Sequence, residues 1–406
     1  SATVSWQTDE PSTGLVEYGE TTAYELGSVA SSSLATAHSV TLPGLSEGTD
    51  YHYRVTADDS LGNSATSADA TFTTGTSGGP DGPEINVWYG SYQRFGASGI
   101  PQRFINVLGD VQDPDGFYSF TYSLNGGPES QLSIGPDEGR LQSSGDFNVE
   151  IAYADLSPGL NDITIRAMDN LGNPSVETVQ VEYIDNVAPS PNVNIDWSTV
   201  TEVSDVAQIV DGKWSLEGGG LRTSEIGYDR ILAIGDLQWT DYEATAEFIL
   251  NASVDTGTGP VGSLIGLGMR WTGHYNWFGN QPFIGWHPLG SLMNYIWIDG
   301  DYTGLAYWES TGALTSGSGV TPEPVVGVPY MLKMRGETLP GGNVEYSFKM
   351  WPSAQSEPSG WGITYTSNQS PAGGSLIVVV HYADITLGNV AIVPVGATVV
   401  CAALRI

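Results

Sequence analysis

The sequence predicts an all-β protein built as three tandem β-sandwich domains, and three observations carry that expectation. Apolar and polar residues alternate in short runs rich in β-branched and aromatic side chains, the pattern of half-buried strands. The runs are separated by turn-forming clusters drawn from 52 Gly and 23 Pro together with Asn and Asp. At 406 residues the chain is too long for one hydrophobic core, while 40% hydrophobic content suffices for several.

Charge narrows the partners. There are 46 acidic and 13 basic residues, a net of −33, and the first lysine is Lys213. Binding to nucleic acid or to an anionic membrane surface relies on clustered Lys and Arg, so both are excluded as partners. Polyanionic polysaccharides are disfavoured for the same reason, which leaves a neutral polysaccharide or glycan as the easier partner. Such acidity suits an extracellular or cell-surface protein in salty water, where charges are screened over about 8 Å at 0.15 M salt. One cysteine, Cys401, allows no internal disulfide and no cysteine metal cluster. No run of about 20 apolar residues is present for membrane insertion.

Residues 1–76 contain the runs ATVSW, LVEYG, HSVTLPGL, YHYRVTA and ADATFTT. With Trp6 in SATVSW, the stretch Leu42-Pro43-Gly44-Leu45, and Tyr51, Tyr53 and Val55 in GTDYHYRV, this segment resembles a fibronectin type III domain. The strand that family carries before its Trp-bearing strand is missing, so the chain is expected to begin inside the domain. A flexible linker, GTSGGPDGP, follows. Residues 84–184, with INVWYG, RFINVLGDV, FTYSLNG, FNVEIAYADL, NDITIRAMD and VETVQVEY, read as a second sandwich. It is similar to the bacterial extracellular Ig-like repeats. Asp59-Ser-Leu-Gly-Asn63 recurs as Asp169-Asn-Leu-Gly-Asn173, and Gly beside Asn and Asp supplies the positive φ of a tight hairpin, so the same hairpin is expected twice. Asp110, Asp113 and Asp115 in GDVQDPDG are spaced as oxygen ligands for calcium or as an acidic turn. DNVAPSPN, with Pro189 and Pro191, reads as a stiffer spacer.

Residues 193–406 hold KWSLEGGGLRT, YEATAEFIL, SLIGLGMRW, MNYIWI, YMLKMRGE, VEYSFKMWP and GSLIVVVHYADITLGNVAIV, enough strands for a two-sheet jelly roll. The order of these motifs resembles the concanavalin A-like lectin/glucanase fold in its laminin-G-like form. That fold hosts lectins, adhesins, hydrolases and lyases, so it implies no single activity.

The aromatic density from Ser263 to Trp308 points to sugar. Aromatic faces stack on sugar rings while polar side chains bind hydroxyls in a concave site. Arg270, Trp271, His274, Trp277, Trp286, His287, Tyr295 and Trp308, joined by His381, are the expected glycan-binding residues. Two other chemistries use the same region. Hydrolases of this fold carry E-x-D-x-E on one strand; here Glu243-Ala-Thr245-Ala-Glu247 replaces the aspartate, and the two Cα atoms lie about 13 Å apart on an extended strand where retaining chemistry needs carboxyls about 5.5 Å apart. A lyase needs a His or Tyr base, for which His274 and His287 are suitable types. Catalytic candidates are thus His274, His287, Glu243 and Glu247. The resemblance further implies a structural calcium at Asp384, with Asp196 or Asp211 joining it. The reading reached from sequence is a carbohydrate-recognition module or adhesin, with a glycoside hydrolase or polysaccharide lyase as the alternative and a purely structural scaffold as the third.

Overall fold

The computed structural model describes residues 2–46, 48–74, 82–137, 139–185, 190–253, 262–275, 281–286, 288–298, 302–310, 312, 314–316 and 323–396. Among them every sheet is confined to one of three stretches, 2–73, 84–183 and 193–394. The protein is all-β, with three single-turn 3-10 segments as its only helical elements among the described residues. The chain forms two compact units. One holds Ser1–Gly82 with the short segments Asp113–Gly116 and Asp169–Asn173, and the other holds the remainder. The linker 75–81, residues 186–189 and the tail 397–406 with Cys401 lie outside the described residues.

In the first stretch ATVSW and LVEYG are two arms of one long strand, Ala2–Gly19, with register shifts between Gln7 and Gly14. It pairs with Gly27–Leu42 on one side and Asp50–Asp59 on the other. Alternation along these strands puts Val4, Val16, Tyr18, Val40, Leu42 and Val55 into one core, against which Trp6 packs. The Trp6 ring stacks on His38 at 4.9 Å.

The twinned hairpin is present in both places with matching geometry. Asp59 Oδ1 accepts from the Leu61 and Asn63 backbone N–H, and its Oδ2 accepts from Asn63 Nδ2. Asp169 makes the same three bonds with Leu171 and Asn173. Gly62 and Gly172 both have φ of +91°, a conformation that a Cβ penalises.

The second stretch has a five-stranded sheet, whose centre is Phe117–Leu124, Gly159–Asp169 and Pro174–Tyr183, and a three-stranded sheet of Asp146–Ala152, Phe104–Gln112 and Glu84–Val87. Ile105, Val107, Phe120, Phe147, Val149, Ile163 and Val179 fill the space between them. INVWYG is only partly strand: it ends at Val87, and Trp88-Tyr89-Gly90 is a turn with Gly90 at φ +79°.

The third stretch is a two-sheet sandwich. Its outer sheet runs Trp214–Glu217, Gly220–Thr223, Ala383–Pro394, Tyr242–Ser253, Pro329–Thr338, Val344–Pro352, Ile363–Ser367; its inner sheet runs Gln208–Asp211, Arg230–Ile234, Ser375–His381, Leu264–Trp271, Ser291–Ile298, Tyr302–Trp308, Leu314–Ser316. In the outer sheet the strand Pro329–Thr338 alternates cleanly: Tyr330, Leu332 and Met334 are buried, and Met331, Lys333 and Arg335 are half-exposed. The inner sheet is apolar on both faces. Leu376, Val378 and Val380 face the main core, whereas Ile377 and Val379 join a second cluster with Trp271, Leu289 and Leu292. Burial on both faces explains runs such as SLIVVVH, in which no residue is exposed.

The main core of this sandwich also takes in Leu108, with Trp88 and Tyr89 packed against it, from the second stretch. The second and third stretches therefore share packing within one unit, which the linker-like DNVAPSPN does not suggest. Replacing Gly172 by Ala is expected to cost about 1 kcal/mol through the forced left-handed backbone. Urea unfolding would show it as a lowered midpoint at unchanged slope.

Candidate functional site

Among the described residues the aromatic stretch after Ser263 is interior only in part: Trp271, His274 and Tyr295 are buried, Trp286, Trp297, Tyr307 and Trp308 are half-buried, and Tyr275 is exposed. Trp271 is 0% exposed and Tyr295 1%; Trp271 belongs to the second cluster of the inner sheet and Tyr295 to the main core. Trp286 and Trp308 are half-buried against the same cluster as Trp271. His274 sits edge-on to both Trp271, at 5.3 Å, and Trp286, at 5.2 Å. The structure therefore gathers Trp271, His274 and Trp286 into one packed group, in which Trp271 and His274 are buried and Trp286 is half-buried. The physical reason is the inner sheet's second apolar face, which must be covered. Trp277 and His287 lie outside the described residues.

The polar members of the expected set are likewise committed to the fold. Arg270, buried and with φ +55°, donates to the carbonyls of Thr240 and Pro371, to Asp241 and to Thr338 Oγ1. It rivets three loops. His381 is buried with Nδ1 2.8 Å from Asp229 Oδ1 and the Tyr228 ring against it. The Asp229 charge, burial and a bond to that carboxylate push the Tyr228 hydroxyl above the ordinary tyrosine range. Glu243 accepts from Arg335 and lies 2.8 Å from Lys333 Nζ. Glu243 is thus engaged by two cations on the sheet face, and Glu247 is half-buried on the same strand.

The expected calcium residues are not brought together. Asp384 is bridged by Arg222 Nε and Nη2 at 2.9 and 2.6 Å and by Asn251. Asp196 caps a single 3-10 turn through Ser198. Asp211 is an anchor of the seam described below. Asp110 is also separate from its sequence neighbours, accepting from Trp88 Nε1 at 2.6 Å. Asp113 and Asp115 meet Asp169 instead, with one oxygen of each within 4.8 Å of the others. Asp169 there makes the same turn bonds as Asp59, so its placement follows from the hairpin alone.

Where the second and third stretches meet, a polar network is sealed inside. Arg140 donates through Nε to both oxygens of Asp211, at 2.8 and 3.0 Å, and through Nη1 to Glu150 Oε1 and the Phe283 carbonyl, both at 2.6 Å. All three charged side chains are at most 1% exposed. Burial opposes the charge on Arg140, but Asp211 and Glu150 outweigh it and hold the guanidinium protonated. His274 Nε2 is 3.4 Å from Asp211 Oδ2. Asn148, Asn106 and Gln208 extend the network by amide bonds to Tyr153. Burial raises the Tyr153 hydroxyl well above its ordinary value.

Beside this network, and on the same seam, lies a cleft of about 340 Å³. One wall is the turn and strand 89–101, and the other is the segment 201–216. Tyr89, Tyr92, Phe95, Tyr153 and Trp214 supply its aromatic surface. Its floor is locked: Tyr89 OH donates to the Gly212 carbonyl at 2.7 Å and accepts from the Trp214 N–H at 2.9 Å, and Trp214 Nε1 donates to the Asp211 carbonyl. Asn106 and Gln208 spend their amides on the seam. The rim is different. Gln93 uses only Nε2, on the Gly90 carbonyl, and Ser98, Thr201, Glu202 and Ser204 have no side-chain partner among the described residues. A rigid apolar floor beneath unsatisfied hydroxyl, amide and carboxylate groups can stack a flat, polyhydroxylated ligand and bond its edges.

None of the cleft residues was marked by sequence. Tyr89 sits in what reads as strand, and Gln93, Thr201 and Ser204 are single polar residues on opposite sides of a long sequence gap. The one available signal is Arg140 in a Gly/Pro/Asp-rich loop: with 13 basic residues in the chain, an isolated Arg there suggests a buried pair.

Comparison with known proteins adds the following. Residues 1–74 match the family described as the purple acid phosphatase N-terminal domain. No curated protein matches the chain. Among solved structures, the chain is similar to the carbohydrate recognition domain of Emp46p in its potassium-bound form, at 8% identity and TM-score 0.35, covering 49% of this chain and 94% of that one. It is also similar to SGBP-B of the Bacteroides ovatus mixed-linkage glucan utilization locus, in complex with a mixed-linkage heptasaccharide, at 12% identity and TM-score 0.21, covering 96% of this chain and 71% of that one. Fibronectin(III)-like modules of Clostridium thermocellum CbhA align at 14% identity and TM-score 0.18, covering 45% and 85%.

Two outcomes follow from the buried charges. Arg140→Ala leaves two carboxylates unpaired in the seam and is expected to destabilise the second unit by about 3–5 kcal/mol, read by urea unfolding followed through tryptophan fluorescence. Burial pushes the Asp384 carboxyl up, but the bonds from Arg222 and Asn251 prevail and hold it below its ordinary value. A depressed carboxyl contributes stability above its unfolded pKa of about 3.9 and loses it as the pH falls through the folded value. Asp384→Asn is thus expected to lower stability at pH 7, with its deficit against wild type closing below about pH 4 in pH-dependent unfolding.

Proposed function

We propose that this protein recognises polysaccharide without cleaving it, and that the seam cleft between the second and third stretches is the binding site. The observation that carries this reading is the division of labour in the cleft. Its aromatic floor of Tyr89 and Trp214 is fixed by hydrogen bonds to the backbone, while Gln93, Ser98, Thr201, Glu202 and Ser204 keep bonding capacity for a ligand. Preorganised aromatic faces with a few polar groups lose little entropy on binding. Glu202 is the one carboxylate among the described lining residues, so they include no acid/base pair of the kind glycoside hydrolysis uses. His274 and His381 have carboxylate partners, but both are buried and neither lines the cleft. In this reading the protein works outside the cell, where polysaccharide is met.

The test is incubation of the full chain with a panel of soluble and insoluble polysaccharides, with and without calcium, scoring retention on the polymer and release of short products together. Retention without products is expected. Tyr92, half-exposed on the rim, is expected on replacement by Ala to weaken retention roughly tenfold or more, a loss of about 1.4 kcal/mol, with little change in unfolding midpoint. Products released by the wild type would sink the non-catalytic reading. Retention indifferent to Tyr92→Ala would sink the cleft as the site.

A further inference from the structure

We infer that the glycan taken by the cleft carries free amino groups, as in a deacetylated hexosamine polymer; this rests on the reading of the cleft as a sugar site. Arg94 is the one cation among the described lining residues. It is already committed, with Nη1 2.6 Å from Asp205 Oδ1 and Nε 3.2 Å from Glu182 Oε2. Glu182 also accepts from the Tyr92 hydroxyl at 2.6 Å. Two carboxylates thus balance a single guanidinium at one end of the cleft, and Glu202 adds a third, exposed and without a partner among the described residues. The mouth of the cleft therefore carries surplus negative charge beside aromatic rings.

That pairing selects for an ammonium group. A carboxylate attracts it directly, and tyrosine or indole faces attract it through the ring quadrupole. The same preference is already satisfied once next door: Lys213 Nζ lies 4.2 Å from the centroid of the Trp88 ring and is not among the cleft residues. An anionic chain would meet Glu202, while Arg94, the one lining cation, is already spent on Asp205 and Glu182. A neutral chain would stack on the rings and gain from Glu202 only a hydroxyl hydrogen bond. A cationic chain gains both the ring contact and the attraction to the carboxylate, and the surrounding net charge of −33 raises its local concentration before it docks.

The experiment is isothermal titration of the full chain, at low salt and near pH 6, with three hexasaccharides: one of glucosamine, one of N-acetylglucosamine and one of glucose. The glucosamine oligomer is expected to bind about tenfold tighter than the other two, with the advantage shrinking as salt is raised. Glu202→Gln, which keeps a hydrogen-bonding group in place but removes the charge, is expected to abolish most of that advantage and to weaken the two neutral oligomers far less; Tyr92→Ala is expected to weaken all three. Equal, Tyr92-dependent binding of all three would overturn the amine preference and leave the sugar site standing. Binding of none, with no retention on any polymer, would sink both readings. Glucosamine binding that survives both substitutions would show non-specific attraction to an acidic surface and overturn the inference.

Discussion

The buried pairing of Arg140 with Asp211 and Glu150 is the constraint on which the second unit depends. Three charges removed from water are tolerated only because each meets an opposite partner in good geometry and the remaining bonding positions reach backbone carbonyls. Arg140 and Glu150 come from the second stretch and Asp211 from the edge of the inner sheet of the third, so the bond exists only when the two are in register. Tyr153 and Gln208 belong to the same network, and both line the cleft. The cleft is thus shaped by an interaction that also decides whether the two sandwiches stay together.

The inner sheet supplies the second constraint. A sheet apolar on both faces needs two covers, and the outer sheet provides one. The other comes partly from the chain around His274 and Trp286 and partly from the seam. Trp271 and His274, which look from sequence like part of a sugar platform, are buried in this layer. Trp271 fills the apolar layer, and Arg270, which pattern places beside it as a ligand for hydroxyls, instead closes the loops at Thr240 and Pro371. Fully buried carboxylates and histidines nearby are consumed in the same way, as partners for one another.

The outer sheet behaves as a half-solvated sheet should. Glu243, Lys333, Arg335, Lys349 and Glu357 form a ladder of ion pairs on its exposed face, and Trp361 lies within 4.7 Å of Lys349 Nζ and 5.2 Å of the Arg335 guanidinium. Those cations are compensated locally. The surplus negative charge of the chain is left elsewhere, including the mouth of the cleft.

Sequence alone determined the all-β class, the positions of most strands and the twinned hairpin, because these depend on local chemistry: period-two alternation, and an Asp and Gly that form the same turn wherever they occur. What it could not determine was which aromatics would be covered, because Trp271 in an apolar run reads the same whether its outer face meets solvent or another layer. Tertiary structure decided that, and it decided the cleft as well. Tyr89 and Gln93 are remote in sequence from Glu202 and Trp214 and share no pattern with them, and the two sets become neighbours only through the packing that Arg140 and Asp211 hold in place.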